Sequence, residues 1–344
     1  MKISAILLCF NQEKYIREAL SSLLQQEIPQ DVELDIVVSD DHSTDHSWEI
    51  INKEIETYRK NGGILPVTLN QNKTNLGCCG NLYQAVLLSK GEYILKFDGD
   101  DISVKERISI FKQTYDKHPD ALQYRFQYIN MAEDGTVDLC QERKRHLPEV
   151  ISVIQYDSKT PSTYWSFAFG CCSAFSKKLF AFFRDFQVIR TLDDTLLSIR
   201  ARFLHGKVVD SSRPVVYYRS TPISAMNNSK LDAKARFLRS SKYAVLCYTF
   251  ASFEVAEMYE KGLIDYVETA FLLRELYGWQ THYTLYPYVK ESHDFRTKWQ
   301  WFRAWCIFRH NKWFIGLSAF IPYKLLIFFR KQWPFSQLIK KLKS

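Results

Sequence analysis

Residues Ile3-Ser4-Ala5-Ile6-Leu7-Leu8-Cys9-Phe10 form a nearly unbroken apolar run of strand length. A strand without polar alternation has to be covered on both faces, which selects a parallel sheet sandwiched between helices. The residues that follow supply the cover. Between Glu13 and Gln26, the apolar positions Ile16, Ala19, Leu20, Leu23 and Leu24 recur at helical spacing. Leu34-Asp35-Ile36-Val37-Val38 reads as a second strand, ending at Ser39-Asp40-Asp41. Ser43 to Glu49 then offers several helix N-caps ahead of Ile50, Ile51 and Ile55. Val67-Thr68-Leu69 is a third, short strand, and Gly80 to Ser89 is helical. Glu92 to Phe97 is a fourth strand that runs straight into Asp98-Gly99-Asp100-Asp101. This alternation predicts an α/β fold: a Rossmann-like, mostly parallel open sheet with flanking helices. Such sheets bind ligands in the crevice at the carboxyl ends of their strands. Both acidic runs, Asp40-Asp41 and Asp98 to Asp101, fall at strand ends.

From about 120 to 225 the pattern is less regular. We expect a hairpin over Tyr124 to Asn130 with its turn at Glu133-Asp134-Gly135, and a helix from Thr195 to Leu204 ended by Gly206. Lys207-Val208-Val209 and Val215 to Tyr218 read as two short strands. Beyond Ser224 glycine and proline thin out, and Lys230 to Tyr277 reads as two or three helices, clearest over Asp265 to Tyr277. The expected organisation is an α/β domain over 1–225, a C-terminal helical extension over 226–296 and a basic, aromatic tail over 297–344.

The tail carries most of what composition adds. The chain has a formal net charge of +8, and from Lys324 onward there are six Lys or Arg and no acid. Trp299, Trp301, Trp305 and Trp313 interleave with Arg296, Lys298, Arg303, Arg309 and Lys312. Trp313 to Phe329 has Lys324 as its one charge, but 17 residues broken by Pro322 stand at the lower limit for a span. Aromatic and basic residues interleaved in this way fit a segment lying on an anionic membrane surface. A span, and an ordinary helical surface, are the alternatives. Basic residues concentrated among Trp and Phe, with no recognition motif, exclude nucleic acid as the expected partner. Eight cysteines, with no CxxC pair and no zinc-like Cys/His spacing, read as reduced thiols in a cytosolic compartment. The N-terminal apolar run is too short for a secretion signal. The expected location is the cytoplasm, peripheral on the inner face of the cytoplasmic membrane.

Asp98-Gly99-Asp100-Asp101 puts three carboxylates within four residues. Close carboxylates repel, so the group is costly unless a cation or strong donors offset it. A hard divalent ion, Mg²⁺ or Mn²⁺, accepts one or two carboxylates together with substrate phosphate oxygens. Taken alone, such a run is more often a solvated loop or a helix cap; its position at a strand's carboxyl end favours the cation.

What surrounds the acidic run is specific. Asp40-Asp41-His42-Ser43-Thr44-Asp45 stands upstream, followed by Asn75-Leu76-Gly77-Cys78-Cys79-Gly80-Asn81, Ala85 and Lys90-Gly91-Glu92-Tyr93-Ile94. In this order and spacing, over roughly residues 3 to 222, the chain resembles the family 2 inverting glycosyltransferases of GT-A fold. It is most similar to the bacterial members that build O-antigen, capsule and related surface polysaccharides. The resemblance implies that Asp40 and Asp41 hold the nucleoside of a nucleotide-sugar donor, a UDP-sugar first. Phe10, Asn11 and Asn75 would share that pocket. It further implies Asp98 toward the ribose and Asp100 and Asp101 toward the metal, with Asp98 as a further metal ligand in the alternative. His42 stands where the family has glycine in an Asp-Asp-Gly-Ser pattern. Inversion requires one base to take the acceptor hydroxyl's proton. The family position for it is matched by Leu192-Asp193-Asp194-Thr195, with Asp194 as base and Asp193 as its neighbour or an acceptor contact. The alternative is that this pair merely caps a helix. Arg219 matches a position near the diphosphate, although Arg219-Ser220-Thr221-Pro222 lacks the histidine that often follows. Tyr164 and Trp165 could stack on an acceptor sugar, or simply pack.

The implied activity is transfer of a single hexosyl or N-acetylhexosaminyl unit to an oligosaccharide or lipid-linked acceptor. The Gln-x-x-Arg-Trp motif of processive synthases is absent from the sequence. Two other classes compete. A sugar nucleotidyltransferase should carry a glycine-rich loop near its N-terminus, and Leu8 to Lys14 has no glycine. A non-catalytic membrane scaffold with a decayed domain should have lost its acids, and Asp98, Asp100, Asp101 and Asp194 are all present.

Overall fold

The computed structural model describes residues 1–156, 169–181, 193–222, 232–291 and 294–300. Tyr164, Trp165 and the tail from 301 onward lie outside the described residues. The chain divides into two compact units, Met1–Ser224 and Ala225–Ser344.

The first unit opens with β1 (Lys2–Cys9), α1 (Ile16–Leu24), β2 (Glu33–Asp40), α2 (Ser47–Lys60), β3 (Val67–Gln71), α3 (Gly77–Leu88) and β4 (Tyr93–Asp98). After Lys2 every residue of β1 is buried, as its unbroken apolar run requires. Ile3, Ala5, Leu7 and Cys9 face one side with Ile16, Leu20 and Leu23 of α1 and Ile51 and Ile55 of α2. The strands stand side by side as β3-β2-β1-β4, all parallel. The chain therefore leaves β1 to one side, for β2 and β3, and returns on its other side as β4. That reversal opens a crevice at the carboxyl ends of β1, β2 and β4. Gly91 sits where the chain crosses close to β1, since a Cβ there would stand 2.3 Å from the backbone nitrogen of Ser4.

Beyond β4 the sheet is mixed. The chain continues through β5 (Ile102–Ser103), α4 (Arg107–Lys117), β6 (Gln123–Met131), α5 (Leu139–Glu142), β7 (Ile151–Gln155), β8 (Ser173–Ser176), α6 (Lys178–Ala181), α7 (Asp193–Phe203) and β9 (Lys207–Arg219). β8 runs antiparallel to both β4 and β6, while β6 and β9 are parallel. β5 and β7 both pair antiparallel with β9. The two short strands expected near 207 and 215 are thus one 13-residue strand, β9. Its register shifts beside Arg125 and Gln127 absorb Pro214, which has no N–H to donate. The hairpin expected after Tyr124 contracts to a single bridge, Met131 to Val137, because β6 takes β8 and β9 as partners instead.

The helix expected at Thr195 begins two residues earlier and stops at Phe203. Its left-handed closing residue is His205 (φ 51°), with Gly206 N–H donating to Ala201 O at 2.8 Å. Gly206 is small for a different reason, because a Cβ would stand 2.3 Å from Leu122 Cδ1.

The second unit contains two long helices among its described residues, α8 (Ala233–Glu260) and α9 (Tyr266–Glu291). Asp232 caps α8 through Ala235 N–H at 2.7 Å, and Asp265 receives Glu268 N–H at 2.8 Å at the head of α9. Gly262 (φ 67°) turns the chain between them. Cys247, Tyr248, Ala251, Val255, Leu276 and Trp279 are buried within this unit, with the Tyr248 and Trp279 rings stacked. None of the described helices is long and apolar enough to cross a membrane.

Candidate active site

Parallel pairing puts the ends of three strands in register, with Cys9 beside Asp40 and Leu8 beside Asp98. The loops after β1 and β2 then interlock. Asn11, at φ 52°, donates its N–H to Ser43 Oγ (2.9 Å), and its Oδ1 accepts Thr44 N–H (2.8 Å). Asp40 is fully buried and receives Ser43 N–H (2.9 Å) and Ser43 Oγ–H (2.5 Å). His42 has φ 61°, the left-handed region that favours glycine. Its ring lies 3.2 Å from Asn72 O. The residue that departs from the family pattern thus adopts the conformation for which glycine is usual. Phe10 is 43% exposed at the rim of this loop pair, an apolar face available to a planar ligand.

Asp41 differs from its neighbour. Its carboxylate accepts Leu76 N–H (2.8 Å), Gly77 N–H (2.8 Å) and Asn72 Nδ2–H (2.9 Å), so it anchors the first turn of α3. Burial pushes its pKa up, against those hydrogen bonds. These bonds tie Asp41, the second acid expected at the nucleoside, to the backbone of α3. Asn75, also expected at the nucleotide, donates to Asp41 O at 3.4 Å.

Gly99 is close-packed rather than open. A Cβ there would lie 2.5 Å from Gln12 Oε1 and 3.0 Å from Leu8 O, so the room left by this glycine is filled by protein. The acids on either side diverge. Asp101 is buried; its Oδ1 accepts Arg219 N–H at 2.8 Å, and its Oδ2 is buried with no hydrogen-bond partner. Burial first, then the charges of Asp100 and Asp98, push its pKa well above the carboxylate range. Asp100 accepts Thr221 Oγ–H at 3.4 Å and is pushed up to about 6, by burial and by Asp98. Among the described residues, the ligand atoms that converge within 4.8 Å belong to Asp98, Asp101 and Cys171. Of the expected metal residues, Asp98 and Asp101 fall in this group, and Cys171 was not foreseen. Two carboxylates with one orphaned buried oxygen suit a hard divalent cation, which would satisfy that oxygen and offset the repulsion.

Arg219, expected at the diphosphate, is only 4% exposed and is spent on the protein. Its Nε donates to Asp100 O and its Nη1 to Glu133 O, each at 3.0 Å, and its Nη2 pairs with Glu18. It braces the acidic loop from the end of β9.

Asp193 and Asp194 form the first turn of α7. Asp194 Oδ2 accepts Gly170 N–H (3.1 Å), and its Oδ1 accepts Thr195 N–H (2.6 Å). Burial, then the neighbouring charge of Asp193, raises its pKa to about 6, with Lys96 pulling the other way. A carboxylate so tuned is a competent base near neutral pH. Between this turn and the acidic loop stands Lys96, 3.2 Å from Asp98 Oδ1 and 3.1 Å from Asp193 Oδ2. Burial opposes its charge, but Asp193 and then Asp98 outweigh that and hold the ammonium protonated. Cys78, at the head of α3, donates Sγ–H to Asp193 Oδ1 at 3.4 Å. Lys96 and Cys171 are the residues sequence reading missed. The available signal for Lys96 was a charge in the middle of Tyr93-Ile94-Leu95-Lys96-Phe97, where a buried strand tolerates none unpaired.

Relatives carry the same framework. The chain is 36% identical over 132 residues to the poly(ribitol-phosphate) β-N-acetylglucosaminyltransferase TarS of Staphylococcus aureus, covering 38% of this chain and 22% of TarS. It is 29% identical over 146 residues to the abequosyltransferase RfbV of Salmonella typhimurium, covering 42% of this chain and 40% of RfbV. The aligned part therefore spans less than half the length of these curated relatives. In fold it resembles the crystal structure of S. aureus TarS 1-349 in complex with UDP-GlcNAc, at a TM-score of 0.57 and 19% identity, over 90% of this chain and 80% of that one. It likewise resembles the mannosyltransferase PcManGT of Pyrobaculum calidifontis in complex with GDP-Man and Mn²⁺, at a TM-score of 0.53 and 14% identity, over 94% and 86%. The model of glycosyl transferase family 2 matches residues 4–182, just over half of the 344, from β1 through α6 with the acidic loop included. This chain belongs to glycosyl transferase family 2.

Proposed function

We propose that this chain transfers one sugar, with inversion, from a nucleotide-sugar to a hydroxyl of a glycan acceptor in bacterial surface-polysaccharide synthesis. The observation that carries the proposal is the pairing of Asp194, raised to about 6, with a buried acidic edge whose Asp101 keeps an unpartnered oxygen. Asp194 takes the acceptor's hydroxyl proton as that oxygen attacks the anomeric carbon. The carbon's bond to the diphosphate oxygen breaks on the opposite face, and the nucleoside diphosphate leaves with the electron pair. Asp98 and Asp101 would hold the Mn²⁺ or Mg²⁺, which supplies positive charge to the departing diphosphate. Asn11 and Asp40 shape the loop pair that receives the nucleoside, and Phe10 offers its ring there. Lys96 keeps Asp193, and with it the base-bearing turn, against the strand that carries Asp98.

A UDP-sugar is the leading donor, supported by the UDP-GlcNAc of the TarS complex. TarS and RfbV are named for different sugars, so the sugar itself is a matter for direct assay. Calorimetry with UDP, GDP and dTDP, each with and without Mn²⁺ or Mg²⁺, tests the reading. UDP is expected to bind at least about tenfold more tightly with the cation, the several kcal/mol of metal–phosphate attraction being partly offset by desolvation. Absence of nucleotide binding under every condition would overturn the proposal.

The acceptor is proposed to be lipid-linked. Support comes from the tail, where aromatic and basic residues interleave in a manner suited to an anionic interface. Cosedimentation with vesicles containing phosphatidylglycerol should retain the full chain and release one ending at residue 296. Equal retention of both would remove the tail from the account.

A further inference from the structure

Lysine is an unlikely occupant of the middle of β4, whose neighbours Tyr93, Ile94, Leu95 and Phe97 are buried core. A buried ammonium persists where it is paired on more than one side. Here the Lys96 side chain is 6% exposed and reaches two carboxylates from different elements, Asp98 at 3.2 Å and Asp193 at 3.1 Å. The wall behind it is backbone. A Cβ on Gly170 would stand 2.8 Å from Lys96 Nζ, so the ammonium occupies a fitted slot beneath the turn that carries Asp194. Its own carbonyl is held as well, by Arg107 Nη2 at 2.5 Å, which fixes the strand at this residue.

We propose that Lys96 is a positioning residue for sugar transfer, a counter-charge shared between the cation-facing Asp98 and the Asp193-Asp194 turn, so that the divalent cation and Lys96 compete for Asp98. The inference rests on the transferase reading above. When a cation occupies Asp98 and Asp101, two positive charges face one carboxylate, and Lys96 is driven toward Asp193. The lysine then weakens cation binding while it holds the base-bearing turn. These two effects have opposite signs, whereas a lysine that served only to fill the core would weaken everything together.

The test is Mn²⁺ affinity of the full-length chain without donor, read by the electron spin resonance of free Mn²⁺, beside transfer kinetics. Lys96→Met, which keeps the volume and removes the charge, is expected to tighten Mn²⁺ by about three- to tenfold, the size of one partly screened charge a few ångströms away. The same variant should lose about tenfold or more in kcat through misplacement of the base, with a smaller change in donor KM. Asp193→Asn, which leaves Lys96 to Asp98 alone, should weaken Mn²⁺ by about threefold or more. Unchanged or weaker Mn²⁺ binding in folded Lys96→Met would overturn the inference, as would unchanged binding in Asp193→Asn. Should Lys96→Met fail to fold by circular dichroism, Asp193→Asn decides alone. A wild-type chain that takes up no Mn²⁺, with or without UDP, would instead overturn the metal-dependent transferase reading itself.

Discussion

Replacing Asp194 by asparagine is expected to lower kcat for sugar transfer by about 10²–10⁴-fold, the usual contribution of a positioned base. Donor affinity should stay near the wild-type value, because Asp194 belongs to α7 and its hydrogen bonds run to Gly170 and Thr195 rather than to the nucleoside loops. The pH dependence follows from its raised pKa of about 6. The base works only when ionised, so kcat should fall about tenfold per unit as pH drops below about 6. The stability consequence has the opposite direction. A carboxyl whose folded pKa exceeds its unfolded value favours the folded state when protonated, and that advantage is lost as pH rises through about 6. At pH 7 the wild-type protein therefore carries the cost of an ionised Asp194, and Asp194→Asn is relieved of it. Its Tm at pH 7 should be no lower than wild type, and calorimetric melts at pH 5 and pH 7 would show the gap narrowing at the lower pH. A variant that turns over at a near-normal rate would remove Asp194 as the base.

The second large effect is expected at Asp101. Asp101→Asn retains an oxygen for Arg219 N–H but removes the charge, and the cation-dependent part of nucleotide affinity should disappear with it. Transfer should fall by about 10²-fold or more, corresponding to several kcal/mol of lost charge stabilisation. The raised pKa values add a signature. Asp100 lies at about 6, and Asp101 is pushed well up by burial and by its two acidic neighbours. Bringing a divalent cation to Asp101 requires its proton to leave, so Mn²⁺ binding should weaken as pH falls and release protons as it occurs. Calorimetry in two buffers of different ionisation enthalpy measures that release. Equal Mn²⁺-dependent UDP affinity in wild type and Asp101→Asn would exclude Asp101 as a metal ligand.

Much of the fold was legible because its signals are local. An apolar run such as Ile3 to Phe10 can be satisfied only by cover on both faces, and the periodic segments after it provide that cover. Placement of Asp40 and Asp98 at strand ends was equally legible, since the strand's last residue is where the apolar run stops. Elements beyond residue 120 were read less well. β9 looked like two strands because Ser211 to Pro214 interrupts the apolar pattern, and its continuity comes from partners on both sides, β6 and β7. His205 could not be singled out, because a left-handed residue at a helix end is usually glycine and Gly206 stood next to it.

The sequence by itself determined the element order through β4, the α/β class and the presence of three acidic groups in family spacing. Those are properties of short windows, decided by covalent spacing and by which residues water rejects. Tertiary structure alone decided which contacts each acid makes. Asp40 and Asp41 are adjacent, yet Asp40 organises the loop through Ser43 while Asp41 is consumed by the backbone of α3. Asp98, Asp101 and Cys171 converge although 70 residues separate the last two. Lys96 reaches Asp193 across nearly a hundred residues. A carboxylate's role depends on its distance to other charges and on its access to water, and both are fixed only when β4, α3 and α7 pack around the same few ångströms.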